Sequence, residues 1–263
     1  MSDNNSMANF PPAVVRALEI LELLAENSSA LSQKEIVDIA KIPHASAYRI
    51  IKCLEHYGYI RESLSQRGRY KPGYRLAMIS KMAFDGAELI SAAMPYMKEL
   101  AHRTKQACQL CVLDDCYVVT LDQALPVEAI TIIAKLGEAV AVNASASGKI
   151  LMALLPIHKR HELLERSWHM CKKNTDYTLI DKDIFLSHLE STAQNMYGTD
   201  FEEFALGIGC LAVPIYNYEN NPIAALGFTG NIESYRDERT FNDMLCELRD
   251  ASNKIRERLY PSR

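Results

Sequence analysis

The chain of 263 residues contains no apolar run near the ~18–20 residues that a bilayer-spanning helix needs. Its first dozen residues are polar and lack a basic stretch followed by an apolar core, so no export signal is expected. There is no internal repeat and no low-complexity tract. The seven cysteines are odd in number and widely scattered, which argues for reduced thiols and a cytoplasmic location. Only one CxxC occurs, Cys108 to Cys111, with Cys116 and His102 nearby. Positions three apart on a strand face opposite ways and no second pair follows, so no metal site is expected. A GxSxG elbow, a phosphate-binding loop and an HExxH helix are also missing. The expectation is a protein without cofactor, metal or catalytic residues, and so not an enzyme.

What is present is ordinary globular material, 48% apolar and 24% charged. At roughly 100–200 residues per domain, the length fits two domains. The formal net charge of -4 conceals an uneven distribution. Residues 41–75 carry eight basic side chains against two acidic ones. Residues 1–40 carry two against six, and the remainder carries 19 against 25. A basic block inside an acidic chain marks one module that meets a polyanion.

That block lies within a helix-rich stretch. Residues 1–12 form a polar tail expected to be disordered. Val14, Ala17, Leu18, Leu21, Leu24 and Ala25 then follow the spacing of an amphipathic helix. Ser32 and Glu35 form a capping box, opening a short second helix that stops by Pro43. A third begins near His44, with Ala47, Ile50, Ile51 and Leu54 on its buried side. Its other side offers Ala45, Ser46, Tyr48, Arg49, Lys52 and His56: small groups for close approach, and cations for guanine edges or phosphates. Two strand-like pieces, 59–64 and 69–75, flank a basic turn suited to lie along phosphates. The order makes residues 13–75 a winged helix-turn-helix.

Helical periodicity continues through residues 76–104, interrupted at Asp85-Gly86 and at Pro95, as a linker. Beyond it come strand-like runs at 109–113, 117–122 and 129–135, then a helix at 150–155 preceded by small residues. Helices are expected at 158–168 and 182–195, strands at 208–216 and 223–229, and a last helix at 238–259. The fold class is therefore α+β, with an antiparallel sheet in residues 105–263. Small residues before a helix, as at Ala146 and Ser147, let backbone amides hold a carboxylate. The adjacent Glu202 and Glu203 read as a charged turn.

The segments VVRALEILELLAEN, LSQKEIVDIAKIPHASAYRIIKCLEHYGYI and RGRYKPGYRLA resemble the IclR family of bacterial transcription regulators. So do NASASGKILMAL, YGTDFEEFALGIGCLAVPIY and PIAALGFTGN further on. The resemblance implies that Ser46, Tyr48, Arg49 and Lys52 face DNA, with Arg67 and Arg69 supporting the wing. It implies a GAF-like second domain whose cupped sheet binds a small organic acid or related metabolite. Carried over residue by residue, the ligand pocket maps onto Ala146, Ser147, Asp200, Cys210, Gly227 and Thr229; Ile208 shares the strand face of Cys210 and is expected as apolar wall. Two departures stand out. Pro72 in the wing strand is unusual and predicts a bend, and Gly227 replaces a frequent serine, which predicts extra room.

The expected function is an effector-controlled, sequence-specific DNA-binding regulator, either repressor or activator. Its partners are operator DNA, a small-molecule effector and further copies of itself, as a homodimer or tetramer, with no membrane. The alternative is a small-molecule or thiol redox sensor whose helix-turn-helix module mediates protein contacts. A nucleophilic Cys210 ranks last.

Overall fold

The computed structural model describes residues 10–27, 29–63, 66–76, 79, 87–126, 136–137 and 139–261. The expected strand at 129–135 and nearly all of the expected helix at 76–84 lie outside them. The chain forms two compact units, which divide between Ala87 and Glu88.

In the first unit, helix α1 (Pro12–Glu26) starts with a proline in its first turn, where a missing N–H costs nothing. Leu31 and Ser32 form a short strand, β1, leading into α2 (Gln33–Ala40). The capping box is present: Ser32 Oγ accepts from Glu35 N at 3.3 Å, and Glu35 accepts from Ser32 N at 2.7 Å. Those hydrogen bonds to Ser32 hold the Glu35 carboxyl below its usual range. Helix α3 (His44–His56) buries Ala47, Ile51 and Leu54. Strands β2 (Ile60–Glu62) and β3 (Arg69–Pro72) complete the unit. The sheet order is β1-β3-β2, all antiparallel, so β3 is central and the wing rests on the strand before α2. Pro72 ends the ladder opposite Ile60, and the Gly73 amide then bonds the Tyr59 carbonyl at 2.8 Å. The second wing strand therefore stops at Pro72 rather than running to 75. Ile20, Leu24, Ile36, Ile51 and Ile60 meet in one core.

The second unit is a six-stranded antiparallel sheet. Helix α4 (Ala87–Thr104) precedes β4 (Ala107–Asp114) and β5 (Tyr117–Ala124). After β6 (Ala139–Ala141) come a 3-10 turn, Val142–Ala144, and α5 (Ala146–Ala153). Helices α6 (Ile157–Ser167) and α7 (Lys182–Asn195) lead to β7 (Gly198–Phe201), β8 (Ile208–Tyr216) and β9 (Pro222–Asn231). A short α8 (Ile232–Arg236) and the long α9 (Glu238–Leu259) end the described chain. Strand order is β6-β5-β4-β9-β8-β7, so β4 pairs centrally with β9.

Period-two alternation sorts the sheet into two faces. Cys108, Leu110, Leu211, Val213, Leu226 and Phe228 pack against α4 and α9. The segment expected as a linker thus supplies Ala93, Met97 and Leu100 to this core. On the other face Ala212 and Ala225 meet Ile150 and Leu151 of α5. There too Cys111 joins Phe185, Leu164 and Val142, so Cys108 and Cys111 belong to opposite faces. Helix α5 lies flat on small residues. A Cβ at Gly198 would strike the Ala146 carbonyl, so only glycine lets β7 pass the start of α5.

Candidate functional site

The exposed side of α3 is built by elimination. With Ala47, Ile51 and Leu54 inward, Tyr48, Arg49 and Lys52 are exposed and Ser46 is half-buried. Arg49 makes one hydrogen bond, Nε to the Ala45 carbonyl at 3.3 Å, and has no ion pair among the described residues. Lys52 pairs with Glu55 at 2.7 Å and lies 5.8 Å from the Tyr70 ring centroid. The Glu55 partner raises the Lys52 ammonium above its ordinary value. Arg67 is exposed at the hairpin turn. Arg69 is engaged inward: its guanidinium donates to the Ala30 carbonyl at 2.6 Å and to Glu35 at 3.1 Å. Arg69 thereby fastens the wing to the capped start of α2.

The other site is a cavity of about 440 Å³ on the α5 side of the six-stranded sheet. Of the seven residues expected there, Ala146, Ser147, Asp200, Cys210, Gly227 and Thr229 line it, and Ile208 does not. Ala146 and Ser147 are the first residues of α5, which begins four positions before the expected helix. Their amides have no acceptor within the helix, whereas the Gly148 amide is capped by Ser145 Oγ at 3.2 Å. Asp200 is 1% exposed. Its Oδ1 accepts from the amides of Glu203 at 2.7 Å and Phe204 at 3.3 Å. Its Oδ2 is buried and makes no geometric hydrogen bond among the described residues. Burial pushes the Asp200 carboxyl above its usual range, against the pull of Lys149.

Across the sheet, Asp200 pairs with Cys210, Cys210 with Thr229, and Thr229 with Ala107. Cys210 Sγ lies 3.4 Å from Thr229 Oγ1, which donates to Gln109 Oε1 at 3.3 Å. Burial and the neighbouring Asp200 push the Cys210 thiol well up. Such a thiol is a poor nucleophile. At Gly227 the expected room is partly taken: a Cβ would stand 2.9 Å from the Leu211 carbonyl and 3.1 Å from Ala212 Cβ.

Several cavity residues carry no motif. Gln109 could have been found by alternation, as the polar position two before Cys111 on one face of β4. Lys172, Asn174 and Met170 come from the segment between α6 and α7. Asn143 holds that segment through the carbonyls of Lys172 at 3.2 Å and Leu179 at 2.9 Å. Thr175 and Thr178 fasten it to the carbonyls of Glu202 and Glu203, each at 2.6 Å. The two glutamates diverge. Glu202 pairs outward with Arg236 at 2.6 Å, while Glu203 turns inward to pair with buried Lys149. The charged-turn reading holds for Glu202 alone, because Glu203's partner lies 54 residues away on α5. Among the described residues, no cluster of three or more His, Cys, Asp or Glu could hold a metal ion.

A three-helix reader with a wing, followed in the chain by an α+β unit that cups a partly polar cavity, defines a one-component transcription regulator. The comparisons identify which kind. Residues 13–63 match the IclR helix-turn-helix domain and residues 81–257 match the C-terminal region of bacterial IclR transcriptional regulators. The chain belongs to the IclR family of DNA-binding transcription regulators. It is 28% identical over 251 residues to the HTH-type transcriptional regulator XynR of Escherichia coli, covering 95% of this chain and 98% of that one. It is 25% identical to the p-hydroxybenzoate hydroxylase transcriptional activator of Acinetobacter baylyi, covering 94% and 92%. The Thermotoga maritima IclR crystal structure aligns with a TM-score of 0.72 at 24% identity, covering 94% and 98%. An IclR homologue from Microbacterium hydrocarbonoxydans, solved with 4-hydroxybenzoate, aligns at 0.69 and 23%, covering 95% and 100%. No helix among the described residues is long and apolar enough to cross a membrane.

Proposed function

We propose that this regulator binds its operator as a homodimer or tetramer in the cytoplasm, and that a small organic acid in the cavity controls it. Residues 13–75 serve as reader. Tyr48, Arg49 and Lys52 meet the major groove with Ser46 permitting close approach, and Arg67 lies along the phosphates. Arg69 acts indirectly, by holding the wing. One short helix reads only a half-site, which is the reason for assembling copies.

The observation that carries the effector reading is Asp200. Asp200 lines the cavity almost wholly buried, and one of its carboxyl oxygens makes no hydrogen bond among the described residues, so it lacks a partner that a ligand would supply. The first-turn amides of α5 add an anion-holding end. The 4-hydroxybenzoate bound to the Microbacterium homologue supports an organic acid as the class. The raised Cys210 thiol runs against a redox role.

The test is a fluorescence-anisotropy titration against the DNA upstream of the protein's own gene at several salt concentrations. The logarithm of affinity should fall linearly with the logarithm of salt. Asp200→Ala should keep the DNA affinity and lose the response to an acid that shifts the wild-type titration. Absence of salt-dependent binding to any genomic fragment sinks the reader, and a normal response in Asp200→Ala moves the effector elsewhere.

A further inference from the structure

A hydrogen bond ties the start of α2 to the start of α3. Gln33, the first residue of α2, places its amide nitrogen 3.3 Å from Nδ1 of His44, the first residue of α3. Neither side chain makes another hydrogen bond or ion pair among the described residues. His44 is exposed and Gln33 is half-buried. The bond adds little to the fold, because Ile36, Ala47 and Ile51 already meet in the core and an exposed hydrogen bond competes with water. What it fixes is the imidazole. A ring nitrogen that accepts from the amide carries no hydrogen, so in the neutral ring the hydrogen sits on Nε2. His44 therefore presents one directed donor, Nε2–H. Gln33 keeps its second amide hydrogen free.

Both groups lie where DNA passes. In a helix-turn-helix the second helix enters the major groove by its amino end, while the first crosses the backbone. His44 stands one turn before Tyr48, and Ala45 one turn before Arg49, so the histidine extends the exposed side of α3 to its tip. Side chains tilt toward the amino end of their helix, which carries the imidazole past the first turn toward base edges. Gln33 belongs to the helix that meets phosphates, and its free amide hydrogen suits a phosphate oxygen. In the major groove guanine shows two adjacent acceptors, N7 and O6. Adenine sets a donor beside its N7, cytosine offers a donor, and thymine sets a methyl beside its O4. A single N–H donor is best met by guanine.

We infer that Gln33 and His44 act as one DNA contact, in which Gln33 donates to a phosphate and holds the ring, and His44 reads a guanine in each half-site through Nε2–H. This rests on residues 13–75 being the reader. Gln33 is the positioning residue and His44 the one that sets specificity. The shared bond links a contact blind to sequence with one that reads it, so a shift of α2 on the backbone moves the base-reading group with it.

Selection of binding sites by the full-length protein from randomised double-stranded DNA, followed by fluorescence-anisotropy titration of the selected site, tests this. Wild type should select half-sites with a guanine whose replacement by adenine weakens binding about fivefold or more. His44→Ala should lose that preference and keep those at the other positions. Gln33→Ala should blur the same position and also weaken binding to every sequence by a similar factor. The double variant should show no further loss at that position, because the two residues act through one contact. Melting temperatures should match wild type, since neither side chain belongs to the core. Base preferences unchanged at every position in His44→Ala overturn the reading role, and so does a preference lost for a base other than guanine. Wild-type affinity and preferences in Gln33→Ala overturn the joint contact. A fall in melting temperature with every base preference kept makes the bond a fastening alone and overturns the inference as well. Selection of no site by wild type overturns the reader itself, an outcome separate from these.

Discussion

The Lys149 ammonium is wholly enclosed, paired with the Glu203 carboxylate and donating to the Thr199 carbonyl at 2.8 Å. It joins α5 to β7 and to the turn after it. Removing one member of a buried pair leaves an uncompensated charge, a loss of about 3–5 kcal/mol. Lys149→Met should lower unfolding stability by that order in a urea titration, and Lys149→Met combined with Glu203→Leu should recover much of it.

Two groups near this pair titrate with opposite effects on stability. His188 is pushed down to about 4, first by burial and then by Lys149. The unfolded chain therefore binds the proton more readily, and this contribution to stability is lost as pH falls from about 6.5 toward 4. Asp200 is raised from 3.8, so the folded form holds its proton longer, and its contribution falls as pH rises through that raised value. Denaturation midpoints followed across about pH 3.5 to 7 should flatten on the acid side in His188→Gln. Asp200→Asn should gain on wild type as pH rises.

Gly198→Ala tests the approach of β7 to α5. The added methyl meets backbone, not a flexible side chain, so the strand or the helix must move. A loss of about 1–3 kcal/mol is expected in thermal or chemical unfolding. Acid binding should weaken as well, because Ala146 starts the helix that lines the cavity.

The three reader arginines should separate by readout. Arg49→Ala should weaken operator binding by about 1–3 kcal/mol with unchanged stability. Arg67→Ala should weaken all DNA sequences alike and reduce the salt slope by about one. Arg69→Ala should lower the melting temperature together with affinity, since its bonds run to Ala30 and Glu35. Unchanged melting in Arg69→Ala would return that residue to the phosphates.

The legible parts of the fold were those with local signatures. The capping box at Ser32 and Glu35, the start of α3 at His44 and the bounds of α9 are set by neighbours in sequence. Strand β8 carried its own apolar run. Helix α5 hid its first turn because all eight of its residues are buried, so no amphipathic edge marks where it begins. Strand β7 is four residues long and borrows its order from β8. Strand β1 is two residues long and exists only as a partner of β3. Of the seven residues expected at the cavity, the six that line it came from family resemblance. Gln109, Lys172 and the inward Glu203 depend on partners 29 to 120 positions away, which no local pattern encodes.

The pairing of β4 with β9 has a consequence for synthesis. The reader's core is complete once Tyr70 has been made. The central seam of the second unit joins residues 107–111 to residues 225–229, so half of that sheet waits for a partner while more than a hundred further residues emerge. On the ribosome, the nascent regulator thus owns a folded DNA-binding head well before it owns a sensor. Early release would leave a reader without its cavity.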